Sequence, residues 1–301
     1  MKSKVMLFII FSLFVILFFA NVSAELNVTQ INQGYSCLQN KTTDCSTSLD
    51  DNIFTLLAIK TCRDKVLQQS TNNECWPSGA CTVTKTSQAL FALKESGGDT
   101  SKPKTWLLSK ARTPSNIDWF LQIEAQTEEE GTAACNVKYE VNGNSQSHQF
   151  TINADKTISA NAGSCLQLAE NDYWFEIIPQ CQSYEYKISC DKEFTTGTLF
   201  RESSSSTVHV SSQVNSASAG GTTTEQVNSL CFADGSSCSY EGTLWASLAL
   251  NSMNEDANSY IPYLVVLADN NPKTLPESFL YILLGESYLN DLLSKQKSSQ
   301  Y

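Results

Sequence analysis

Histidine is scarce in this chain: His148 and His209 are the two among 301 residues. They form no His-x-x-x-His spacing and no Cys-x-x-Cys occurs, so the usual zinc spacings are missing and neither a metal nor a cofactor is expected. No Gly-x-Ser-x-Gly elbow is present, which leaves a serine triad through His148 without its nucleophile turn. Positive charge is the minority: 20 Lys+Arg stand against 31 Asp+Glu, a formal net charge of −11, with no Lys/Arg stripe. An acidic surface repels phosphate backbones, so a nucleic-acid partner is not expected. After the N-terminal segment no run is apolar enough to span a bilayer. Apolar residues, at 41%, are too plentiful for wholesale disorder, and the length suffices for one or two ordinary cores.

The N-terminal segment reads as a targeting signal. Lys2 and Lys4 precede an apolar run over residues 5–20, and Val22-Ser23-Ala24 offers a small-x-small cleavage site, which puts the mature start near Glu25. The competing reading is an uncleaved anchor, although the run falls short of the ~20 residues that cross a membrane. Cleavage removes Lys2 and Lys4 and no acid, which takes the charge from −11 to −13. A secreted or surface location follows, with membrane contact only through this segment if it is retained. Eleven cysteines in an exported chain then read as disulfides. Proximity pairs Cys37 with Cys45, Cys75 with Cys81, Cys181 with Cys190 and Cys231 with Cys238. Cys135 and Cys165 make a fifth candidate pair, and Cys62 is left as a buried small hydrophobe. Connectivity does not follow from sequence, and an odd count leaves at least one thiol free or intermolecular. Asn27 and Asn40 head Asn-x-Thr glycosylation sequons, while the Asn-x-Ser sequon of Asn21 lies in the signal.

Residues 25–48 read as a polar, stapled arm, and residues 49–69 as an amphipathic helix through Ile53, Leu56, Leu57, Val66 and Leu67. The stretch 75–93 is a Pro-Gly turn that launches a helix carrying Val83, Ser87, Leu90 and Leu93 on one stripe. Thr82 or Thr84 caps its start and Gly97-Gly98 ends it. A short helix from Pro103 buries Trp106 and Leu107 and stops before Pro114. At Asn116 the period drops to two. Trp119, Leu121, Ile123 and Ala125 alternate with Phe120, Gln122 and Glu124. Strand-like runs follow at 135–141, 149–152, 173–178, 184–189 and 195–200, with a hairpin at Asn142-Gly143. Together they predict a small antiparallel sandwich or barrel. A serine-rich stretch at 203–218 and a break at Ala219-Gly220-Gly221 precede helical spacing at 244–250, 260–268 and 276–293, the last broken at Gly285.

Val66-Leu67-Gln68-Gln69, then Cys75-Trp76-Pro77, then Thr86-Ser87-Gln88-Ala89-Leu90-Phe91-Ala92-Leu93 resemble one repeat of the α/α-toroid superfamily. That superfamily holds the terpenoid cyclases, protein prenyltransferases and complement-like thioester domains. Weaker echoes lie at Thr105-Trp106-Leu107-Leu108-Ser109 and from Tyr288 to Gln296. The resemblance implies an α+β fold: a partial, degenerate toroid-like helical domain with an inserted small antiparallel β domain. The implied division is a signal at 1–24, a first helical part at 25–114, the β insertion at 115–205, a Ser/Gly linker at 206–221 and a second helical part at 222–301. A toroid repeat runs from a segment like 292–296 into its Trp turn, so the end at Tyr301 implies a partial toroid or a piece of a longer protein.

The family's chemistry is absent. Laid on this chain, the cyclase Asp-x-Asp-Asp-Thr-Ala motif falls on Thr82, Val83, Thr84, Lys85, Thr86 and Ser87, where no carboxylic acid can supply a proton. The Gly-Cys-Gly-Glu-Gln thioester motif is missing too. Asp50-Asp51 reads as the acidic start of a helix. Glu128-Glu129-Glu130 is a solvated turn with too few oxygens for a calcium cage. Trp76, Trp106, Trp119, Trp174 and Trp245 either line an apolar pocket or pack in the core, core being the default. No catalytic residue is assigned. The expectation is a secreted or surface-displayed, non-catalytic binding protein with an extracellular protein or glycan ligand. The alternative is an extracellular toroid enzyme, polysaccharide- or isoprenoid-active, with an unidentified carboxylate site.

Overall fold

A computed structural model describes residues 28–42, 44–127 and 131–295. The signal segment, Asn21, Asn27, Glu128-Glu129-Glu130 and the last residues of the Tyr288–Gln296 echo lie outside the described residues. The fold is α+β. Helices α1 (Val28–Lys41), α2 (Leu49–Ile59), α3 (Arg63–Gln68), α4 (Val83–Glu95) and α5 (Ser101–Leu108) come first. After the strands follow α6 (Tyr240–Ser252), α7 (Ile261–Val266), α8 (Pro276–Leu284) and α9 (Leu289–Ser294).

The α/α-toroid resemblance is overturned by this architecture. Three antiparallel sheets carry the middle of the chain, and the helices are short, six to fourteen residues, rather than repeated pairs in a ring. What produced the echo is local packing. Trp76 is fully buried with Ile53, Leu56, Val66, Ala89, Ala92 and Leu93, and its indole Nε1 donates to the Val66 carbonyl at 2.6 Å. A tryptophan packed this way needs only that three-helix corner, and after α5 the chain leaves the helices for a strand.

The residues that would carry cyclase acids serve this corner. Thr82 caps α4 by accepting from the Lys85 N–H, Lys85 pairs with Asp50 at 2.6 Å, and Thr86 Oγ1 accepts from the Trp76 N–H. The single helix expected over 49–69 is instead two. Lys60 and Cys62 take left-handed backbone, and Cys62 is bridged to Cys45 rather than lying free as a hydrophobe. The arm expected at 25–48 contains the exposed helix α1, with Asn40 and the unpaired Cys37 on its surface.

Strand β1 (Ala111–Arg112) pairs with β11 (Cys231–Asp234), which in turn pairs with β12 (Ser237–Cys238). Every other strand lies between them in sequence. β2 (Ile117–Ala125), β5 (Leu166–Ala169), β6 (Trp174–Ile177), β8 (Phe194–Glu202) and β9 (His209–Ala217) form a five-stranded sheet in the order β5-β6-β2-β8-β9. β3 (Ala133–Val141), β4 (Asn144–Ile152), β7 (Glu185–Cys190) and β10 (Thr222–Gln226) form a four-stranded one, ordered β10-β7-β3-β4. The Asn142-Gly143 hairpin forms where the dipeptide places it, with both residues at positive φ. The sheets share one core: Trp119, Leu121 and Ile123 from β2 face Val137, Tyr139 and Ile188, and the Phe150 and Phe175 rings meet edge to face at 5.1 Å. Strand structure continues past residue 205, through the stretch expected to be a linker at 206–221. β9 runs through the serine-rich stretch and β10 begins at Thr222, because an edge strand needs little apolar surface.

The bridges correct the proximity pairings. Cys75 joins Cys81 and Cys231 joins Cys238, but Cys135 joins Cys190, Cys165 joins Cys181, and Cys45 joins Cys62. Cys135 and Cys190 stand directly opposite on neighbouring strands, a proximity set by register rather than by sequence distance. The helices before and after the strands pack together through α4 and α6, where Val83, Leu90, Ala246, Ala249 and Leu250 share a core with Phe232 of β11. Tyr263, Leu264, Leu267 and Leu280 of the C-terminal helices continue into the core of the sandwich.

Candidate ligand-binding face

Period two along β2 sends Ile117, Trp119, Leu121, Ile123 and Ala125 inward and Asp118, Phe120, Gln122 and Glu124 outward. Register then sets the outer face of the five-stranded sheet. Trp174 of β6 lies beside Gln122 and Gly197 on its other side, Glu176 lies beside Phe120, and Arg201 of β8 lies beside Asp118. Phe120 is only 1% exposed although it points away from the sandwich core. The Arg201 guanidinium covers its ring at 5.0 Å, and the Trp174 ring centre stands 5.8 Å away. Arg201 is fixed in turn: Nη1 donates to Glu170 Oε1 at 2.6 Å, and Nε lies 3.6 Å from Asp118 Oδ2. Asp118 also accepts from the Ser203 hydroxyl at 2.7 Å.

Against this platform sits a cleft of about 270 Å³ lined by Gln122, Ile123, Glu124, Lys156, Glu170, Tyr173 and Trp174. Tyr173 is 44% exposed and Trp174 half-buried, so two aromatic side chains reach solvent next to amide and carboxylate groups. Gln122 Nε2 donates to Glu124 Oε1 at 2.6 Å, and Lys156 Nζ donates to the Ala125 carbonyl and to Thr127 Oγ1, both at 2.9 Å. The two turns that border the cleft hold four non-glycine residues in left-handed backbone: Lys156 at φ 71°, Glu170 at 50°, Asn171 at 57° and Asp172 at 68°. Asn and Asp tolerate that region, while Glu170 and Lys156 each give up about 1 kcal/mol there. The Ile158 N–H donates to the Asp172 carbonyl at 2.7 Å and ties the two turns together.

Of the tryptophans, Trp76 and Trp119 are core, and Trp245 is half-buried between Phe54, Phe91 and Phe279 on the helical side. Trp174 is the one that lines the cleft. His148 stacks on Tyr139 at 5.6 Å and His209 on Phe200 at 5.6 Å. Among the described residues no serine hydrogen-bonds to either. A wider depression of about 580 Å³ lies on the outer face of the four-stranded sheet, lined by Asn136, Gln149, Thr151, Ser159 and Ser189 without an exposed aromatic.

The outward set Asp118, Phe120, Gln122 and Glu124 is readable from alternation. Glu170 and Arg201 join it only through register across three strands. Neither a protein-family description, nor a characterised protein, nor a solved structure matches this chain. Among the described residues no helix is long and apolar enough to cross a membrane.

Proposed function

We propose that the chain is an exported, non-catalytic binding protein that takes a saccharide in the cleft beside Trp174. Five disulfides support an oxidising compartment, hence a secreted or cell-surface location. The observation that carries the ligand class is the pairing of Tyr173 and Trp174 with Gln122, Glu124 and Glu170 around one small cleft. A sugar ring offers C–H faces that lie on aromatic rings and hydroxyls that bond to amides and carboxylates. The volume lies near the lower end of small-ligand sites, room for about one or two rings. Backbone strain in both bordering turns adds weight, since strained residues collect at ligand clamps.

The test is calorimetric titration of the oxidised protein with a panel of soluble oligosaccharides, repeated on Trp174→Ala and Tyr173→Ala. Loss of either ring should weaken binding at least about tenfold, as for aromatic anchors elsewhere. The unfolding midpoint should barely move for Tyr173→Ala, whose side chain is already wet. Absence of binding across the panel, or full affinity in Trp174→Ala, would remove the saccharide reading. Cleavage of an oligosaccharide during titration would replace it with the polysaccharide-active alternative.

A further inference from the structure

We infer that the cleft selects saccharides bearing a free, protonated amine over neutral or N-acetylated ones, with Glu124 as the specificity-determining residue; this rests on the saccharide reading above. The argument is a charge inventory of the face. Its two cations are both held by other contacts, Arg201 by carboxylates and Lys156 by neutral oxygens. Lys156 is bound to the Ala125 carbonyl and Thr127 Oγ1, and Arg201 is bound to Glu170, flanked by Asp118 and laid on Phe120. The carboxylates outnumber them: Asp118, Glu124, Glu170 and Glu176 share the outer face or its rim. Among the described residues no lysine or arginine pairs with Glu124 or Glu176.

Glu124 accepts one hydrogen bond, from Gln122 on one oxygen, and is exposed at the cleft wall. Lys156 keeps its own charge, because its partners are neutral oxygens, and it makes no ion pair with Glu124; four carboxylates against two cations still leave the face a formal −2. The faces of Trp174 and Tyr173 add a negative quadrupole, which favours a cation at the same place. An ammonium group on the sugar meets both, and acetylation removes its charge and adds bulk. The chain's net −11 draws such ligands in at long range, and salt screens that attraction.

The experiment compares the fully deacetylated β-1,4-glucosamine tetramer with its N-acetylated counterpart, by calorimetry on the oxidised full chain at about pH 5.5. At that pH the amine is protonated and carboxylates of ordinary pKa are ionised. The deacetylated tetramer should bind about tenfold more tightly, and added salt should shrink the difference. Glu124→Gln keeps an acceptor for Gln122 and loses the charge. It should reduce the preference to about twofold or less. Glu140→Gln, an exposed carboxylate of β3 in the other sheet, is the charge-matched control and should keep the full preference. Equal affinity for the two tetramers, or an unchanged preference in Glu124→Gln, overturns amine selection while the saccharide reading stands. Binding of neither tetramer, nor of any other sugar, overturns both.

Discussion

Removing the bridge between Cys135 and Cys190 tests the corrected connectivity and the two-sheet core together. Both cysteines are buried, 4% and 3% exposed, and they stand opposite each other on β3 and β7 of the four-stranded sheet. The loop they close spans 55 residues and contains β4, β5 and β6, strands from both sheets. In the chain-entropy account a loop of that length stabilises the fold by about 4 kcal/mol. The bridge from Cys75 to Cys81 closes a loop of only 6 residues, for which the same relation gives about 2 kcal/mol. The double variant Cys135→Ala/Cys190→Ala should therefore lose about 2 kcal/mol more than Cys75→Ala/Cys81→Ala. Against the wild type its thermal midpoint should fall by roughly 10 °C. Denaturant unfolding without reductant, read at constant m-value, measures the difference, and a disulfide-linked peptide map of the wild type accompanies it. A peptide joining Cys135 to Cys165, or a double variant no less stable than the Cys75/Cys81 one, would refute the register on which the sandwich core is built.

Two further outcomes follow, one from buried tyrosines and one from the start of α4. Burial pushes the Tyr260 and Tyr263 phenols up to about 12 and raises Tyr240 further, with its hydroxyl donating to the Leu264 carbonyl at 2.7 Å. The unfolded chain releases those protons near the ordinary value of about 10 while the fold still holds them. Stability is thus complete below about pH 10 and declines from there to about pH 12; unfolding midpoints across that range should fall, and Tyr263→Phe should flatten the slope. Asp234→Ala should cost about 1 kcal/mol and speed amide exchange in the first turn of α4, because Asp234 Oδ1 accepts from the Val83 N–H at 2.8 Å. An unchanged midpoint and unchanged exchange would show that Thr82 alone caps the helix.

How much of this fold is readable in the sequence depends on the range of the force that sets each feature. Alternation over Trp119 to Ala125, the Asn142-Gly143 turn, the Thr82 cap and the break at Gly285 are local, and each appears where the residues place it. β9 was hidden because its serines, Gln213 and Asn215 carry no apolar period. Strand pairing along β8, and the bond from Asn215 Nδ2 to Glu225, decide its conformation instead. The pairing of Cys135 with Cys190 was hidden because it is a consequence of register. The toroid echo misled for the opposite reason: Trp76 and the Ala-Leu helix satisfy one another within a short stretch, and a short stretch cannot specify a ring.

The cleft shows why its residues could be found only one at a time. Gln122 and Glu124 belong to β2, Lys156 to a turn after β4, Glu170 and Tyr173 to the turn between β5 and β6, and Trp174 to β6, while Arg201 of β8 braces Glu170 from outside the lining. No pair of these turns is held by its own sequence, since Glu170 and Lys156 sit in backbone that their side chains disfavour. Contacts from elsewhere supply the compensation. Arg201 holds Glu170, the Ala125 carbonyl and Thr127 hold Lys156, and the Ile158 N–H holds Asp172. Phe120, almost wholly covered on a face that ought to be wet, gives Arg201 the surface that fixes its direction. The turn that leads into Tyr173 and Trp174 is thereby tied to β8 and to the Lys156 turn, and a backbone held in place before binding lowers the ordering cost of a ligand.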